Sequence, residues 1–352
     1  MKILHIVEST ATGTLSMVLM AVQAQVSKHE VSVIYSKRRD TPKNIKNLFP
    51  DNVHLFEVSM GAKSFPGSIF RVRKTITKLS PDIIHCHSSF GGFVGRLSSL
   101  FLRCKVFYSP HCISFMRKDI GIVKFLLFSL FERVGCLKKA TYIACSESEK
   151  KAISDVLKNV SVVLLENAVD LSDFVNRPNY SFISDTKRIV SVGGVRKQKG
   201  FEEFADIAIK CSSLGYKFIW VGDGDEKSKK CLENAGVEIT GWKSREEVIN
   251  ILQTSDLYLS TSLWEGMPVS VIEACAAGLP LLLRNCPGNC DIVINNSLGH
   301  LFSSTDEAIS YLNDFSVVNG REKELVPSIN MEIFNRFSIE RFSLGLEDIY
   351  RS

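Results

Sequence analysis

The chain has no GxxxxGK[ST] loop, and no GxGxxG follows a strand-like run, so ATP hydrolysis and dinucleotide binding lack their usual phosphate cradle. It has ten cysteines in 352 residues but no CxxC pair, which points to scattered reduced thiols rather than a disulfide framework or a zinc knuckle. No apolar run is long enough to span a bilayer: the longest, IGIVKFLLFSLFERVG, is interrupted by Lys124. Low-complexity tracts and short-period repeats are absent too. The opening MKILHIVEST carries one lysine and a short apolar run, and reads as a β-strand rather than a signal peptide. These absences lead us to expect a cytoplasmic protein, soluble or peripheral to a membrane.

What is present is globular. The composition is 45% hydrophobic and 23% charged, and the length suits two domains, each able to bury its own core. Short β-branched runs alternate with longer amphipathic ones: KILHIV and TLSMVLMAVQAQV, then HEVSVIYS, IFRVRKTITKL, PDIIHCH, VGRLSSLF and KVFYSPH. That alternation is the pattern of a parallel sheet wrapped by helices. It lapses around ENAVDLSDFVNRPNYSFISDTK and resumes with RIVSVGG, FEEFADIAIKCSS, YKFIWVGDGD, EEVINILQT, DLYLSTS and PLLLRN. We therefore expect an α/β chain of two Rossmann-like domains, 1–165 and 187–330, joined by a polar linker over 166–186. A closing helix within 331–352, with helical apolar spacing in FSIERFSLGLEDIY, should pack across a domain surface.

The net charge of +5 conceals a division between the halves. Residues 1–165 hold 24 Lys and Arg against 11 Asp and Glu, whereas residues 166–352 hold 19 against 27. A basic first half suits an anionic partner, either nucleic acid or a phospholipid surface, although solvated basic helix faces give the same count.

Open α/β sheets bind ligands beyond the carboxyl ends of their strands, so glycine and charge just after a strand mark candidate sites. In RIVSVGGVRKQKGFEEF a strand ends at Gly193-Gly194, Arg196, Lys197 and Lys199 follow, and a helix opens near Gly200. Arginine and lysine there suit a diphosphate, and a merely solvated basic turn is the alternative. In KFIWVGDGDEK, Gly222, Asp223, Gly224 and Asp225 superficially resemble a metal-binding DxD, yet two carboxylates are a sparse set for Mg²⁺ and a strand-end turn near a nucleotide explains them more simply. His85 and His87 read as lying on opposite faces of one strand with no further ligand nearby, which is poor support for zinc and favours a structural role beside the turns of SSFGGFVGR. His111 follows a strand end and could donate to an anionic or hydroxyl group, or simply bond locally. Thr12, Gly13 and Thr14, in STATGTLS, can offer backbone N–H groups to a phosphate or sugar, or form an ordinary cap.

The run WEGMPVSVIEACAAGLP places Glu265 and Glu273 around an otherwise apolar segment. Carboxylates are costly to desolvate alone, so this pair needs partners in the protein or in a ligand. DLYLSTS reads as a strand and LWEG as its loop; Pro268 suits a first helical position, and VSVIEACAAG reads as a buried helix closed by Gly278. Backbone N–H groups of Gly266, Met267 and Val269 can then face an anion while the carboxylates accept hydroxyl protons. Phosphate plus polyhydroxyl is what a nucleotide sugar offers.

With these residues in place, the chain resembles retaining glycosyltransferases of the GT-B fold, family 4. The resemblance runs through PDIIHCHSSFGGFVGRL, VFYSPH, CSESEKKAI, ENAVDLSDF, VGGVRKQKG, VGDGD and the E-x7-E element. It implies a metal-independent hexosyltransferase without cofactor, using a UDP- or GDP-linked donor, with a catalytic set of His111, Glu265 and Lys199 in an interdomain cleft. Glu273 would bind the donor ribose, Glu265 the hexose, Lys199 and Arg196 the diphosphate, and His111 would sit by the transferred sugar. Gly194, Gly222, Asp223, Gly266, Met267, Pro268 and Val269 would complete the donor site, and Thr12, Gly13 and Thr14 an acceptor or phosphate loop. The family's usual Gly-Arg pair is here Gly193-Gly194, with Arg196 two residues on, and its Asn-Gly hinge is Asn167-Ala168.

By the same resemblance the acceptor is a lipid-linked or growing saccharide of a bacterial surface polymer. The basic half, notably SIFRVRKTITKL and FMRKDIGIVKFLLFSLFERVGCLKK, would then meet anionic lipid on the inner face of the plasma membrane. Three other readings stand beside it: a nucleotide-sugar 2-epimerase on the same fold, a non-catalytic nucleotide-sugar-binding scaffold, and a nucleic-acid binder, the last without any recognition motif.

Overall fold

The computed structural model describes residues 1–38, 40–61, 64–174, 186–293, 299–317, 333 and 335–352. Most of the expected linker and residues 318–332 of the second half lie outside the described residues. The chain divides into two compact units, Met1–Asn167 with Ile339–Ser352, and Ala168–Ser338.

The first unit is built on a seven-stranded sheet of β1 (Lys2–Val7), β2 (Glu30–Tyr35), β3 (His54–Glu57), β4 (Ile83–His87), β5 (Lys105–Ser109), β6 (Thr141–Ala144) and β7 (Ser161–Leu164). Its spatial order is β3-β2-β1-β4-β5-β6-β7, with parallel pairing throughout. Helices α1 (Thr12–Gln25), α2 (Phe65–Leu79), α3 (Ser89–Ser98), α4 (Ile122–Gly135) and α5 (Glu147–Val156) form the crossovers. A parallel sheet is covered on both faces, so a central strand such as β4 buries every residue, and the two histidines of IIHCH go inside with its isoleucines. The closing helix Ile339–Arg351 belongs to this unit and buries Phe342, Leu346 and Tyr350.

One helix of this unit is held by charge. Arg96, fully buried on α3, donates to Glu132 of α4 at 2.7 Å and to the Gly92 carbonyl at 2.9 Å, and its guanidinium lies 4.3 Å from the Tyr108 ring centre. Glu132 in turn accepts from the Tyr108 hydroxyl at 3.0 Å. The anchor leaves the other side of α4 in solvent: Ile122, Val123, Leu126, Leu127 and Leu130 are 46–76% exposed.

The second unit repeats the plan with β8 (Arg188–Val192), β9 (Lys217–Val221), β10 (Glu238–Ile239), β11 (Leu257–Ser260), β12 (Leu281–Arg284) and β13 (His300–Phe302), in the order β10-β9-β8-β11-β12-β13. Its helices are α6 (Phe201–Lys210), α7 (Glu226–Asn234), α8 (Arg245–Gln253), α9 (Val269–Ala276), α10 (Asn289–Ile292) and α11 (Thr305–Val317). Pro268 caps α9 from outside the helix, with ψ 115°, so the helix begins one residue later than the sequence reading placed it. In each sheet the strand order reverses once, between β1 and β4 and between β8 and β11. Adjacent loops diverge at such a reversal, and that is where a doubly wound sheet opens a crevice for ligand.

Candidate functional site

In the second unit the reversal between β8 and β11 brings together two stretches that are far apart in sequence. The loop after β8 carries Lys199 at the end of a single 3₁₀ turn, and the loop after β11 carries Glu265. Lys199 Nζ lies 2.8 Å from Glu265 Oε1, and the two side chains are only 14% and 9% exposed. The same carboxylate accepts from Ser262 Oγ at 2.9 Å and from Gln198 Nε2 at 3.3 Å. Gln198 also ties the two loops through their backbones, since its carbonyl accepts from Leu263 N–H at 2.8 Å and its amide donates to the Trp264 carbonyl.

Two glycines make this pairing possible. At Gly193 (φ +148°) a Cβ would stand 2.8 Å from Lys199 Cε, and at Gly288 (φ +89°) one would stand 2.6 Å from Glu265 Cβ. Both positions have a left-handed backbone that favours glycine; at Gly288 the Glu265 backbone also leaves no room for a side chain, and at Gly193 a Cβ would displace the end of the Lys199 side chain from Glu265.

Glu273 is held by a different cation. Its Oε1 accepts from Arg245 Nη1 at 2.8 Å, and Arg245 also reaches Asp173 at 2.8 Å. Burial pushes the Glu273 carboxyl above its ordinary range, and the Arg245 charge opposes that rise. The carboxylates bracketing WEGMPVSVIE thus have separate partners, Lys199 and Arg245. Gly266, Met267 and Pro268 are buried in the intervening loop, and Val269 opens α9 half-buried, with no side-chain cap over the helix start.

Around Gly194 the surroundings are more open. A Cβ there would lie 3.5 Å from the Trp242 ring, 3.7 Å from the Asp223 carbonyl and 3.9 Å from Arg196 Nε. Arg196 is exposed, and Trp242 is 59% exposed. Gly222 and Asp223 form the turn after β9 as expected. The Asp223 carboxylate accepts from Gly224 N–H at 2.8 Å and pairs with Lys229, and these contacts lower its pKa, the Gly224 amide most. Asp225 caps α7 by accepting from Ser228 N–H at 3.0 Å. Both acidic side chains of the DGD run therefore serve the local backbone.

In the first unit, Thr12 opens α1 and Gly13 and Thr14 lie in its first turn, with no side-chain cap from Ala11. His111 sits after β5 in a tight turn where two successive non-glycine residues, His111 (φ +54°) and Cys112 (φ +87°), adopt left-handed backbone. Such strain persists only where surrounding structure enforces it. Here Glu149, fully buried on α5, accepts from Cys112 N–H at 2.7 Å and Ile113 N–H at 2.8 Å through one oxygen, and from Cys145 N–H at 2.9 Å through the other.

The histidines correct the sequence reading. Strand side chains alternate, so His85 and His87, two apart, share a face, and their ring centres lie 4.1 Å apart. Nor are they isolated: β1 pairs with β4 in a register that sets His5 opposite His85, and His111 approaches His87 from the next loop. Their partners are one another and Ser109, Tyr350 and Gln25, not the glycine turns of SSFGGFVGR. Nitrogens of His5, His85 and His87 lie within 4.8 Å of one another, the one metal-sized group among the described residues. Each of these ring nitrogens already has a hydrogen-bond partner, and no carboxylate joins the set. Burial lowers the pKa of all four histidines, His5 and His111 to about 4, which keeps the rings neutral. His87, Ser109, His111 and Asn167 line a cavity of about 20 Å³ beside this array.

Several participants carried no signal in the sequence. Arg245 lies 28 positions before Glu273, and His5 lies 82 before His87, so only the fold pairs them. Gln198 and Ser262 sit inside quoted motifs but are of types with many bland uses. Glu149 stands in a Ser-x-x-Glu cap pattern, and that pattern does not foretell its second task at the His111 turn.

Two α/β units, each with charged and polar residues gathered at a strand-order reversal, define a two-Rossmann architecture. The profile of the glycosyl transferases of group 1 matches residues 173–316, and that of glycosyltransferase family 4 matches residues 13–173. The chain belongs to this family and is a glycosyltransferase of the GT-B fold. It is 28% identical to an Escherichia coli UDP-Gal:alpha-D-GlcNAc-diphosphoundecaprenol alpha-1,3-galactosyltransferase, over 80% of this chain and 78% of that one. A Campylobacter jejuni N,N'-diacetylbacillosaminyl-diphospho-undecaprenol alpha-1,3-N-acetylgalactosaminyltransferase is 31% identical over 65% of this chain and 54% of its own. Among solved structures, Anabaena HepE in complex with UDP and glucose superposes with a TM-score of 0.82 over 99% of each chain at 17% identity.

Proposed function

We propose that the chain transfers a hexose-type sugar, with retention and without a metal ion, from a UDP- or GDP-linked donor to a polyprenyl-diphosphate-linked saccharide in bacterial surface polysaccharide synthesis. The observation that carries this reading is the Lys199–Glu265 pair, walled by glycine at a strand-order reversal. An ammonium there can neutralise the charge that grows on a departing nucleoside diphosphate, and a low-exposure site strengthens that effect. Glu265 is already engaged by an ammonium, a hydroxyl and an amide, which suits it to orient sugar hydroxyls and makes it a poor nucleophile.

In the reaction proposed, the bond from the anomeric carbon to the diphosphate breaks as the acceptor oxygen bonds to that carbon from the same face. The acceptor proton passes to the leaving phosphate oxygen. Arg196 adds positive charge to the diphosphate, Glu273 accepts from the ribose hydroxyls, and His111 contacts a substrate hydroxyl. Gly194, Gly222, Asp223 and the amides of Gly266, Met267 and Val269 line the donor, while Thr12, Gly13 and Thr14 serve the acceptor side. The acceptor class is supported by the lipid-diphosphate substrates named for the two bacterial relatives.

No helix among the described residues is long and apolar enough to cross a membrane. We place the protein instead against the inner face of the plasma membrane. The exposed apolar stripe of α4 would rest on anionic lipid, flanked by exposed Arg117, Lys118, Lys124, Arg133 and Lys139. Leu126→Glu with Leu130→Glu should abolish sedimentation with anionic vesicles at low salt. Unchanged sedimentation would remove α4 from the contact.

The functional test is thermal stabilisation by UDP, GDP, ADP and CMP with and without EDTA, followed by incubation of the matching nucleotide sugars with a polyprenyl-diphospho-N-acetylhexosamine. Stabilisation that survives EDTA together with a longer saccharide supports the proposal. An epimer formed from donor alone would replace it with the 2-epimerase reading, and binding without any turnover would replace it with the scaffold.

A further inference from the structure

Four polar side chains run in single file through the first unit to His111. Gln25, at the end of α1, presents its amide oxygen 2.8 Å from His5 Nε2. His5 Nδ1 lies 2.9 Å from His87 Nε2, and His87 Nδ1 lies 3.0 Å from His111 Nε2. Gln25, His5 and His87 are each no more than 1% exposed, so bulk water does not reach the Gln25–His5 and His5–His87 bonds.

The donors and acceptors in such a file are not independent. An amide oxygen only accepts, so His5 must carry its proton on Nε2. A neutral imidazole has one N–H, so His5 Nδ1 accepts and His87 Nε2 donates. By the same step His87 Nδ1 accepts and His111 Nε2 donates. His111 is left with a bare Nδ1, an acceptor and not a donor. His85 lies outside this logic, because its two nitrogens meet the hydroxyls of Tyr350 at 2.6 Å and Ser109 at 2.8 Å, and a hydroxyl can play either part.

We propose that Gln25 is a positioning residue: acting through His5 and His87, it fixes the tautomer of His111 so that His111 Nδ1 accepts a hydrogen bond from a substrate hydroxyl. The second half of this statement rests on the function proposed above, and the first half does not. It reverses the expectation that His111 donates. The direction of the file follows the orientation of this amide: turned over, it would invert every tautomer. His111 in the inverted state would carry a proton on Nδ1 and repel a hydroxyl hydrogen.

The test is long-range ¹⁵N–¹H correlation of the histidine rings in the full-length protein at neutral pH, with His111 assigned by its loss in His111→Asn. Nδ1 of His5, His87 and His111 should all be unprotonated. Gln25→Met removes the acceptor and should give His111 as a mixture of tautomers. Gln25→Glu offers a carboxylate to the same N–H and should restore a single one. In the transfer assay Gln25→Met should lower kcat by about five- to tenfold, the worth of one hydrogen bond, with Gln25→Glu recovering most of it.

A wild-type His111 protonated on Nδ1 overturns the proposal, as does a single unchanged tautomer in Gln25→Met. If Gln25→Met does not fold, the wild-type and Gln25→Glu spectra decide alone. A scrambled tautomer with unchanged kcat would overturn the substrate contact of His111 while leaving the file itself intact. Because the spectra need no substrate, a failed transfer reaction would count against the proposed function and not against the tautomer.

Discussion

Acid should loosen the first unit through its buried histidines, and His5 gives the size of the effect. Burial takes its pKa from the ordinary 6.5 to about 4, with the Gln25 hydrogen bond working the other way. The folded value lies below the unfolded one, so between these limits the unfolded chain binds the extra proton and stability falls as pH falls. From about pH 7.5 to about pH 5 the cost for His5 alone comes to about 2 kcal/mol. His85 and His87, also lowered by burial, act in the same direction. Glu149, raised by burial, acts in the opposite one, because a folded carboxyl that holds its proton more tightly gains stability in acid. A comparison with His5→Gln isolates the single group. Urea unfolding at the two pH values, read by far-UV circular dichroism, should show the wild type losing about 2 kcal/mol more than His5→Gln. All three tryptophans lie in the second unit, at Trp220, Trp242 and Trp264, so their fluorescence reports that unit separately. Equal losses in wild type and His5→Gln would refute the claim that His5 is held neutral by burial.

Three further substitutions probe other parts of the chain. Lys199→Ala should lower kcat/KM for transfer about 100-fold or more while the Tm stays near wild type, since Glu265 keeps its bonds to Ser262 and Gln198; near-normal kcat/KM would take Lys199 out of the diphosphate site. Glu273→Gln should weaken donor binding by about 1–3 kcal/mol in a calorimetric titration, and an unaltered donor Kd would exclude a ribose contact. Glu132→Gln strips the counter-charge from a fully buried Arg96 and should cost about 3–5 kcal/mol of first-unit stability, with the double change Arg96→Met, Glu132→Leu costing less than the single one. A Glu132→Gln variant as stable as wild type would show that Tyr108, Tyr142 and the Gly92 carbonyl suffice to hold that guanidinium.

The fold class and the position of most candidate residues were legible because they rest on local rules. Short β-branched runs, helical spacing and glycine after a strand are short-range signals, and RIVSVGG or DLYLSTS announces a strand end without knowledge of its neighbours. A resemblance carried by spaced motifs such as E-x7-E is likewise written in one dimension. The misreading of His85 and His87 was local too, since two residues apart on a strand means one face.

What one dimension does not contain is which loop meets which. Strand order is set by the packing of whole crossover helices, and it is the β8–β11 and β1–β4 neighbourhoods that bring Lys199 to Glu265 and His5 to His87. Polar side chains of few distinctive habits, such as Gln25, Gln198 and Ser262, gain their roles only when burial removes water and leaves them the few partners that the fold supplies. The sequence by itself therefore determined the kind of protein and the residues able to hold charge. The tertiary structure decided their pairing, because desolvation and hydrogen-bond geometry act between atoms that the chain separates by tens of residues.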